Sequence, residues 1–483
     1  MNETTLRLLE TAFLGYFALL NGGYVLLNLL ALGNILQHMR EHFDLALSPI
    51  HAGFEPPVSI IVPAHNEAAT LPTTIRSLQQ LTYPEFEIIV VNDGSTDGTL
   101  DVLQREFALT PFPEAYRKRL PSEHVRAVYR SATHPNLRVI DKEKGGKADA
   151  LNAGINAARY PLYCSVDADS VLQRDSLQKV VMPFIEDPRT IASGGTVRLV
   201  NGCQVQEGFL ERIDLPKSWL ARLQVIEYLR AYLFGRLGWS PLNALLIISG
   251  AFGVFHKETV ITAGGYRRDT VGEDMELVVR LHRHCRVNKI PYRIRFVPDP
   301  ICWTEAPENL RDLQRQRIRW QQGLGEALTM NLSLLFHPKG GTVGWLAYPF
   351  AFFFEWLGAY LEVAGYLFVA FLYATDRLDP HAALAFFTLA IGLGTLLSVT
   401  ALLLEESSFH LYPKLRHALI LFLCALIENL GYRQLNALWR AIGNLRWLLQ
   451  PRQSHWTSPQ RQPIAHTARH TQLQGQQKNQ ANN

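Results

Sequence analysis

Short apolar runs, each ending in polar side chains, recur through the N-terminal half of the chain. Four of them lie at residues 58–62, 88–91, 137–140 and 162–166. Segments with apolar residues at helical spacing lie between several of these runs, so buried strands are expected to alternate with helices. This order predicts an α/β fold with a mostly parallel open sheet, helices on both faces, and a ligand beyond the carboxyl ends of the strands.

The stretch 100–136 interrupts this alternation and is rich in basic residues. It carries Arg105, Arg117, Lys118, Arg119, Arg126 and Arg130. A charge run of this kind is typical of a solvated loop, which is the structure we expect here. Contact with nucleotide, acceptor or lipid headgroups is the alternative.

Apolar stretches of membrane length lie on either side of this region. Residues 11–37, 342–374 and 382–404 are each long enough to cross about 30 Å of hydrocarbon, so we expect a transmembrane helix in each, the second with an amphipathic lead-in. A cleaved signal peptide is the alternative for the first stretch. Residues 415–450 hold only a short apolar run that contains Glu428, which favours re-entrant or interfacial helices.

Basic residues are distributed unevenly around the second and third apolar stretches. Lys339, Lys414 and Arg416 lie outside them on one side, whereas the link 375–381 carries only Arg377. Because basic loops tend to remain in the cytosol, the domain at 56–323 is predicted to face the cytosol. The whole chain is predicted to be an integral protein of the inner or plasma membrane.

Two acidic residues interrupt the second apolar stretch. Glu355 and Glu362 are seven positions apart, which places them on one face of a helix. A carboxylate in hydrocarbon costs about 2.5 kcal/mol or more, so this face is expected to meet protein or water. The sequence leaves two interpretations open, the lining of a sugar path and pairing with arginine or lysine near the interface.

Composition narrows the possible functions. The 483 residues carry a net charge of +4 with 19% charged residues, a balance too weak for a nucleic-acid-binding surface. The five cysteines are scattered singly, so neither a zinc site nor a disulfide framework is expected. The histidines and cysteine of 282–285 are predicted to lie on a solvated helix. Residues 451–483 are rich in Gln, Asn, His and Ser and are predicted to be disordered.

An Asp-x-Asp sequence follows the fourth apolar run. If the strand breaks between Asp167 and Asp169, both carboxylates aim at one site, the first near a nucleotide ribose and the second on a divalent metal. A metal held by carboxylates offsets the charge of a nucleotide diphosphate. Many turns contain an Asp-x-Asp sequence, so the prediction of a metal site depends on its position after a buried strand.

Other polar residues near strand ends are candidates for holding a nucleotide and its phosphates. Glu67 follows the first strand, and Asp93 is suited to hydrogen-bond a pyrimidine edge, whereas Asp97 is suited to hold a turn. Lys144 and Lys147 flank two glycines that allow close backbone approach, and they would add positive charge at a diphosphate. Exposed lysines in the loop before a helix are the alternative.

Asp274 is the candidate general base, the group that takes the proton of an attacking hydroxyl. It starts a helical stretch after Gly272, so its side chain can project from a loop into the site. Glu273 is the competing base. The alternative for both is the favourable placement of carboxylates in the first turn of a helix.

The sequence QRIRW places three functional side chains on one helical face. Gln316, Arg319 and Trp320 lie three and four positions apart. The arginine can pair with a departing diphosphate, and the tryptophan offers an apolar plate for the face of a sugar ring. An amphipathic helix at the membrane surface is the alternative, and both interpretations can hold at once.

Together these motifs resemble those of the membrane-anchored family-2 glycosyltransferases of the processive type, which include cellulose, hyaluronan, chitin and poly-N-acetylglucosamine synthases. The resemblance covers about 58–323 and extends to the apolar stretches on both sides. It implies a GT-A type nucleotide-sugar domain, inversion at the anomeric carbon, a UDP-sugar donor and Mg²⁺ or Mn²⁺. It also implies these roles: uridine contact for Asp93, diphosphate contact for Lys147, the metal site for Asp167 and Asp169, the base for Asp274, and the processivity motif for Gln316, Arg319 and Trp320.

The chain departs from the family at one position, because Gly272 stands where the family often has threonine. Loss of that hydroxyl could alter acceptor contacts but leaves the base in place. The membrane part is also smaller than in the largest polymer-exporting members.

The expected function is transfer of a hexose or N-acetylhexosamine from a UDP-sugar to a growing β-linked polysaccharide at the cytosolic membrane face. The runner-up is transfer of one sugar to a lipid acceptor, a polyprenyl phosphate or diacylglycerol. A membrane scaffold or transporter that binds nucleotide without turnover is a third possibility. The expected partners are the donor, a saccharide or lipid-linked acceptor and membrane lipid, and nucleic acid is not among them.

Overall fold

The computed structural model describes residues 3–45, 53–206 and 208–449, so the predicted disordered segment 451–483 lies outside the described residues. The strands are β1 (Val58–Ala64), β2 (Phe86–Asp93), β3 (Leu109–Pro111), β4 (Val125–Ser131), β5 (Leu137–Lys142), β6 (Leu162–Val166), β7 (Val171–Leu172), β8 (Thr190–Leu199), β9 (Gln204–Gln206), β10 (Phe209–Arg212), β11 (Phe252–His256) and β12 (Arg293–Thr304).

The α-helices alternate with these strands and then follow them. They are α1 (Glu3–Leu45), α2 (Leu71–Gln79), α3 (Thr99–Glu106), α4 (Lys147–Ala157), α5 (Ser176–Glu186), α6 (Trp219–Leu229), α7 (Leu237–Trp239), α8 (Lys257–Thr262), α9 (Glu273–Val287), α10 (Leu310–Met330), α11 (Tyr348–Phe350), α12 (Gly358–Ala374), α13 (Pro380–Phe387), α14 (Leu393–Ser408), α15 (Leu415–Ile427) and α16 (Arg433–Leu449). Wider π-helical segments join several of them at Arg230–Arg236, Val343–Ala347, Ala351–Trp356, Thr388–Gly392 and Glu428–Tyr432, and Leu332–Leu334 is a 3-10 turn.

Ten of the strands form one mixed sheet, in the order β3-β4-β5-β2-β1-β6-β11-β8-β12-β7, and β9 and β10 pair separately. Its centre, β5-β2-β1-β6, is parallel, as is the β8–β12 pair, while β11 runs antiparallel between β6 and β8. The four strands expected from the apolar runs are this parallel centre. Their carboxyl ends share one edge, so the polar residues that follow them converge there.

The parallel centre is buried on both faces, as its apolar runs require. All seven residues of β1 are buried. Helix α4 packs against this strand so closely that a Cβ added at Gly154 would lie 2.4 Å from Cγ2 of Ile61. A larger residue at 154 would therefore push the helix that carries the lysine motif away from the sheet.

The prediction of a solvated loop for 100–136 is wrong for much of the segment. It contains most of α3, all of β3 and β4, and β4 pairs with the edge of β5. The reason is the alternation in β4, where Val125 and Tyr129 pack against the core while charged residues face outward. The arginines also find partners, Arg119 on Glu258 at 2.5 Å and Arg126 on Asp141 at 3.2 Å.

In the part of the chain that the structure describes, three helical stretches are long and apolar enough to cross a membrane, Glu3–Gln37, Pro380–Ser408 and Leu415–Leu449. A fourth candidate is the pair Val343–Trp356 and Gly358–Ala374, which is bent by 42°. The stretch from Leu415 is itself broken, because Gly431 has φ +105° and the preceding residue is also non-helical. The 13 residues of α15 rise only about 20 Å, short of the hydrocarbon thickness.

Helix α10 lies between the α/β domain and the apolar helices, and glycines let its neighbours approach closely. A Cβ at Gly325 would lie 2.6 Å from Nε1 of Trp356, and a Cβ at Gly443 would lie 2.9 Å from the carbonyl oxygen of Ile318. Gln321 donates to Oδ1 of Asn444 at 3.0 Å. The QRIRW helix is thereby fixed to the bent pair and to α16.

Candidate active site

A continuous cavity of about 690 Å³ extends from the carboxyl edge of the sheet toward the apolar helices. Its lining includes nine of the predicted site residues, which are Glu67, Lys147, Asp167, Asp169, Glu273, Asp274, Gln316, Arg319 and Trp320. A cleft of this size is typical of a small-molecule site. Residues from five separate elements and loops therefore meet in one space.

Asp93 is one of the two predicted site residues, with Lys144, that the described structure places outside the cavity lining. Its carboxylate is fully buried, pairs with the Lys142 ammonium at 2.5 Å, and accepts hydrogen bonds from the backbone amides of Gly145 and Gly146 at 2.9 and 2.7 Å. In the part of the chain that the structure describes, Asp93 is not among the residues that line the cavity. The carboxylate therefore positions the glycine loop, which lines the cavity in its place.

The loops after β1 and β2 are tied to each other. Nδ1 of His65 lies 2.8 Å from the carbonyl oxygen of Asp93, and the side chain of Asp97 accepts from the amides of Ala68 and Thr99 at 3.1 and 3.0 Å. Asp97 thus holds the turn, as its sequence predicts. Glu67 is buried at the cavity wall and accepts from Oγ1 of Thr70 at 2.7 Å.

The two lysines of the glycine loop differ sharply in environment. Lys144 is exposed, and in the described structure it is not part of the cavity lining. Lys147 is the first residue of α4, and its Nζ lies 2.7 Å from Oδ1 of Asp167 and 3.4 Å from Oε1 of Glu273. Burial lowers the pKa of Lys147, but the carboxylates of Asp167, Glu273 and Asp274 raise it by more, so the ammonium remains charged.

Asp167 and Asp169 lie in the turn that joins β6 to β7. The strand ends at Val166, and the amide of Ser170 donates to the carbonyl oxygen of Asp167 at 3.1 Å. This turn directs both carboxylates into the cavity, as the position of the motif after a strand predicts. Asp169 is 5% exposed, whereas the Asp167 side chain is 29% exposed.

The two candidate bases sit side by side at the start of α9. Oδ2 of Asp274 accepts from the Gly250 amide at 3.0 Å, and its Oδ1 accepts from the Met275 amide at 2.8 Å. Burial raises the pKa of the Glu273 carboxyl, the Lys147 ammonium opposes this, and the charge of Asp274 adds to it. Asp274 is therefore held in place by neutral donors, while Glu273 is held by an ammonium.

The loop before α9 is attached to the QRIRW helix. The Glu326 carboxylate of α10 accepts from Oγ1 of Thr270 and from the Val271 amide, both at 2.8 Å. A Cβ at Gly272 would lie 2.8 Å from Cα of Gly323, so the two backbones touch. The glycine that replaces the family's threonine is what permits this contact.

The three QRIRW side chains lie on the cavity side of α10. Trp320 is 44% exposed, and its ring lies 6.4 Å from that of Tyr228 and 4.5 Å from the Arg317 guanidinium. Arg317 itself is buried against Glu227 at 2.8 Å. The ion pair with Glu227 holds the Arg317 guanidinium against the Trp320 ring. Arg319, which also lines the cavity, takes no part in this ion pair.

Sequence reasoning missed an aromatic pair in this wall. Tyr228 and Tyr232 line the cavity with ring centroids 5.5 Å apart, and the guanidinium of Arg236 lies 3.8 Å from the centre of the second ring. The available signal was a tyrosine at i and i+4 next to glutamate and arginine. With Trp320 they form an aromatic surface beside the polar end of the cavity.

The far end of the cavity is lined by polar groups from the apolar helices. Glu355 and Glu362 both reach it, as their shared helical face predicts. Oε1 of Glu362 lies 3.7 Å from Nη1 of Arg440, and the Tyr24 hydroxyl donates to Glu355 at 3.5 Å. Both open interpretations therefore have support, since Glu362 pairs with an arginine and both acids line the cavity.

The prediction of a solvated helix for 282–285 needs correction. His282 and Cys285 are fully buried, and the two ring nitrogens of His282 lie 2.7 Å from the Tyr292 hydroxyl and 2.8 Å from the Leu245 carbonyl oxygen. These contacts are with core groups. Among the described residues no cluster of three or more metal-ligating side chains occurs, here or elsewhere.

Two models of known protein families match the part of the chain that forms this cavity. The models of Glycosyl transferase family 2 and Glycosyl transferase family group 2 match residues 59–202 and 164–399. The chain belongs to glycosyltransferase family 2. Together the matched segments contain the glycine loop, the Asp-x-Asp turn, the start of α9 and the QRIRW helix, and the expectation of a glycosyltransferase is confirmed.

Curated relatives of this family-2 glycosyltransferase include poly-beta-1,6-N-acetyl-D-glucosamine synthases from two staphylococci. The Staphylococcus epidermidis protein is 29% identical over 272 residues, which are 56% of this chain and 55% of that protein. The Staphylococcus aureus (strain COL) protein is 30% identical over 274 residues, with the same coverage of both chains. The chain thus matches about half the length of these relatives.

Two solved structures with a similar backbone are a mannosyltransferase and S. aureus TarS. A mannosyltransferase from Pyrobaculum calidifontis, solved in complex with GDP-Man and Mn²⁺, is 20% identical with a TM-score of 0.46, covering 88% of this chain and 99% of that one. S. aureus TarS 1–349 in complex with UDP-GlcNAc is 14% identical with a TM-score of 0.37, covering 78% and 92%. The sheet order and the parallel centre identify the α/β domain as the expected GT-A-like fold.

Proposed function

We propose that this family-2 glycosyltransferase moves an N-acetylhexosamine from a UDP-sugar to a growing β-linked polysaccharide, with inversion at the anomeric carbon. The observation that carries the proposal is the single cavity that holds Asp169, Asp274 and Trp320 together. The names of the curated relatives favour N-acetylglucosamine among the hexosamines.

In this proposal Asp274 accepts the proton of the acceptor hydroxyl while that oxygen forms a bond to C1 of the donor sugar. The bond between C1 and the phosphate oxygen breaks on the opposite face, and UDP leaves with the electron pair. The amides of Gly250 and Met275 hold the carboxylate in one orientation, which general-base catalysis requires. Glu273 serves the site by holding Lys147.

The donor set fits a metal that arrives with the diphosphate. Mg²⁺ and Mn²⁺ in such sites take one or two protein carboxylates and complete their shell with phosphate oxygens and water. Asp167 and Asp169 supply two carboxylates in the cavity, and no third metal-ligating side chain joins them in the described residues. A divalent cation there would neutralise charge on the leaving diphosphate, and Lys147 and Arg319 would add to this.

The aromatic surface supports a saccharide acceptor. Trp320, Tyr228 and Tyr232 line the same cavity as the proposed base and the polar groups of the apolar helices. Aromatic rings pack against the C–H face of sugar rings, while neighbouring charged groups bind hydroxyls. A lipid phosphate acceptor would need no such surface, so the polymer is favoured over the single-sugar alternative.

We place the catalytic domain on the cytosolic side, where UDP-sugars are made. The basic residues Lys339, Lys414 and Arg416 lie at the domain ends of candidate spans, which supports this orientation. The proposed partners are the donor, a saccharide acceptor and membrane lipid.

Product length tests the proposal. The purified full chain is incubated with labelled UDP-N-acetylglucosamine and Mn²⁺, and the products are separated by size. We expect a ladder of oligosaccharides that shortens in Trp320→Ala, because the acceptor loses its stacking partner, worth about 1 kcal/mol.

The matched control is Trp219→Ala, which removes an exposed tryptophan outside the cavity lining and is expected to leave product length unchanged. A product consisting only of mono-glycosylated lipid would remove the polymer proposal and leave the runner-up.

A further inference from the structure

A second pocket, of about 480 Å³, lies at the opposite end of helix α9 from the catalytic carboxylates. Its lining contains five basic side chains, those of Arg189, Arg286, Lys289, Arg293 and Lys339. Among the residues that the structure describes, no Asp or Glu lines it. The family chemistry described above makes no use of this concentration of positive charge.

Little of this charge is neutralised by the protein. Asp187 pairs with Arg189 at 2.7 Å and lies 3.9 Å from Nε of Arg293. Across 53–206 and 208–449 no salt bridge involves Arg286, Lys289 or Lys339. Cations that lie close together repel each other, and a bound anion relieves this repulsion. The pocket therefore favours the binding of an anion.

Packing and backbone conformation hold Arg286 and Lys289 of this pocket in place. The guanidinium of Arg286 donates to the Tyr292 hydroxyl at 3.1 Å and lies 5.5 Å from the centre of that ring. A Cβ at Gly341 would lie 2.9 Å from Cζ of Arg286, so the arginine also packs on backbone. Lys289 is held in the left-handed region, at φ +57°, where α9 ends.

The wall of the pocket continues into a surface suited to a bilayer. Lys339 lies just before the candidate span that begins at Val343. Phe336 and Trp345, which are 45% and 52% exposed, have ring centroids 5.4 Å apart, and the indole donates to the His337 carbonyl oxygen at 3.1 Å. Exposed aromatic residues beside a span are typical of the headgroup level of a membrane. Ile290, 43% exposed, adds apolar surface at the pocket itself.

We propose that this basic pocket binds the phosphate of an anionic phospholipid headgroup from the leaflet on the domain's side. Arg286 and Arg293 supply forked donors for the phosphate oxygens, and Lys289 and Lys339 add charge at the rim. The lipid's chains lie along the exposed aromatic residues. This assignment is independent of the proposed glycosyl transfer.

The test is a titration of the full chain in zwitterionic detergent with three probes: short-chain phosphatidylglycerol, short-chain phosphatidylcholine and inorganic phosphate. We expect saturable binding of phosphatidylglycerol, at least tenfold weaker binding of phosphate, and no saturable binding of phosphatidylcholine. In Lys289→Gln/Lys339→Gln the phosphatidylglycerol affinity is expected to fall at least tenfold, since each cation near a membrane surface contributes about fivefold.

The matched control is Arg117→Gln/Lys118→Gln, which removes two exposed cations near the other edge of the sheet and is expected to leave the affinity unchanged. Charge reversal in Lys289→Glu/Lys339→Glu should abolish binding while the chain still elutes as a folded species. Equal losses in the pocket and control variants would overturn the pocket assignment. Phosphate binding as tightly as phosphatidylglycerol would overturn the lipid assignment.

Discussion

The ammonium of Lys147 lies between carboxylates from two elements that are far apart in sequence, Asp167 after β6 and Glu273 at the start of α9. Without a cation there, the carboxylates of Asp167, Glu273 and Asp274 would repel each other in a partly buried space. Lys147 therefore holds these carboxylates together, in addition to its proposed contact with the diphosphate.

A second residue with a distinct environment is His282, whose burial lowers its pKa to about 4. Its folded-state pKa is thus below that of an unfolded histidine, about 6.5. The stability from the neutral ring is fully present above about pH 6.5 and is lost as the pH falls toward 4, because the unfolded chain binds the proton first.

We expect the free energy of unfolding to fall by about 3 kcal/mol over this window from His282 alone. Thermal unfolding between pH 4 and 7 should show a weaker pH dependence in His282→Gln than in the wild type. His124→Gln, a change at an exposed histidine, should keep the wild-type dependence. Equal slopes in all three proteins would contradict this assignment.

Helix α10 is the element that connects the candidate catalytic carboxylates to the apolar helices. Glu326 holds the loop before α9, Gly323 touches Gly272, and Gln321 reaches Asn444 on α16. A displacement of α10 is therefore transmitted to Asp274 through the Gly272 backbone. The QRIRW motif sits on this helix, so the proposed acceptor surface and the proposed base are mechanically linked.

Substitution of Gly272 by alanine tests this link. The new Cβ would meet the Gly323 backbone, which must shift, so we expect a loss of about 1–3 kcal/mol in unfolding free energy. Transfer should slow by about tenfold or more, because misplacement of a catalytic group by less than 1 Å is costly. UDP affinity should change little.

The control is Gly33→Ala in α1, where an added Cβ meets nothing within 4 Å. Both variants are compared by thermal unfolding and by the rate of sugar transfer. Wild-type rates in Gly272→Ala would show that the two helices do not need this contact.

At the scale of the whole molecule, two ion pairs, one buried and one partly buried, join the α/β domain to the apolar helices. Arg198 of β8 pairs with Glu405 of α14, and Arg230 pairs with Glu428 at the break after α15. Both side chains of the first pair are at most 4% exposed. A buried charge that loses its partner is strongly destabilising, so these pairs fix the domain on its helices.

Replacement of Glu405 by alanine is expected to cost about 3–5 kcal/mol, because Arg198 is left buried and uncompensated. The double variant Arg198→Met/Glu405→Leu should recover most of this loss. Glu106→Ala, which breaks the exposed pair with Arg76, should cost less than about 1 kcal/mol. Thermal unfolding in detergent measures all three, and a similar small loss in each would contradict the proposed anchoring.

The parallel centre of the sheet and the convergence of the polar motifs were predictable from sequence, since apolar runs and strand ends are local signals. Strand β4 was not predicted because arginines interrupt its apolar pattern. The partner of Arg126 lies on the neighbouring strand β5, and that of Arg119, just before β4, lies on α8. The burial of Asp93 and His282 depends on Lys142, the glycine loop and Tyr292, and that environment exists only after folding. The contact of Gly272 with Gly323 could not be predicted either, because no pattern near these residues in the sequence indicates it.

The decisive measurement compares Asp274→Asn with Glu273→Gln and the wild type in two assays, sugar transfer from UDP-N-acetylglucosamine and equilibrium binding of UDP. Removal of a general base typically costs 10²–10⁴ in rate. Asp274→Asn is therefore expected to lose at least 100-fold in transfer while UDP affinity stays within about twofold. Undiminished transfer in Asp274→Asn, or its abolition only in Glu273→Gln, would contradict Asp274 as the base.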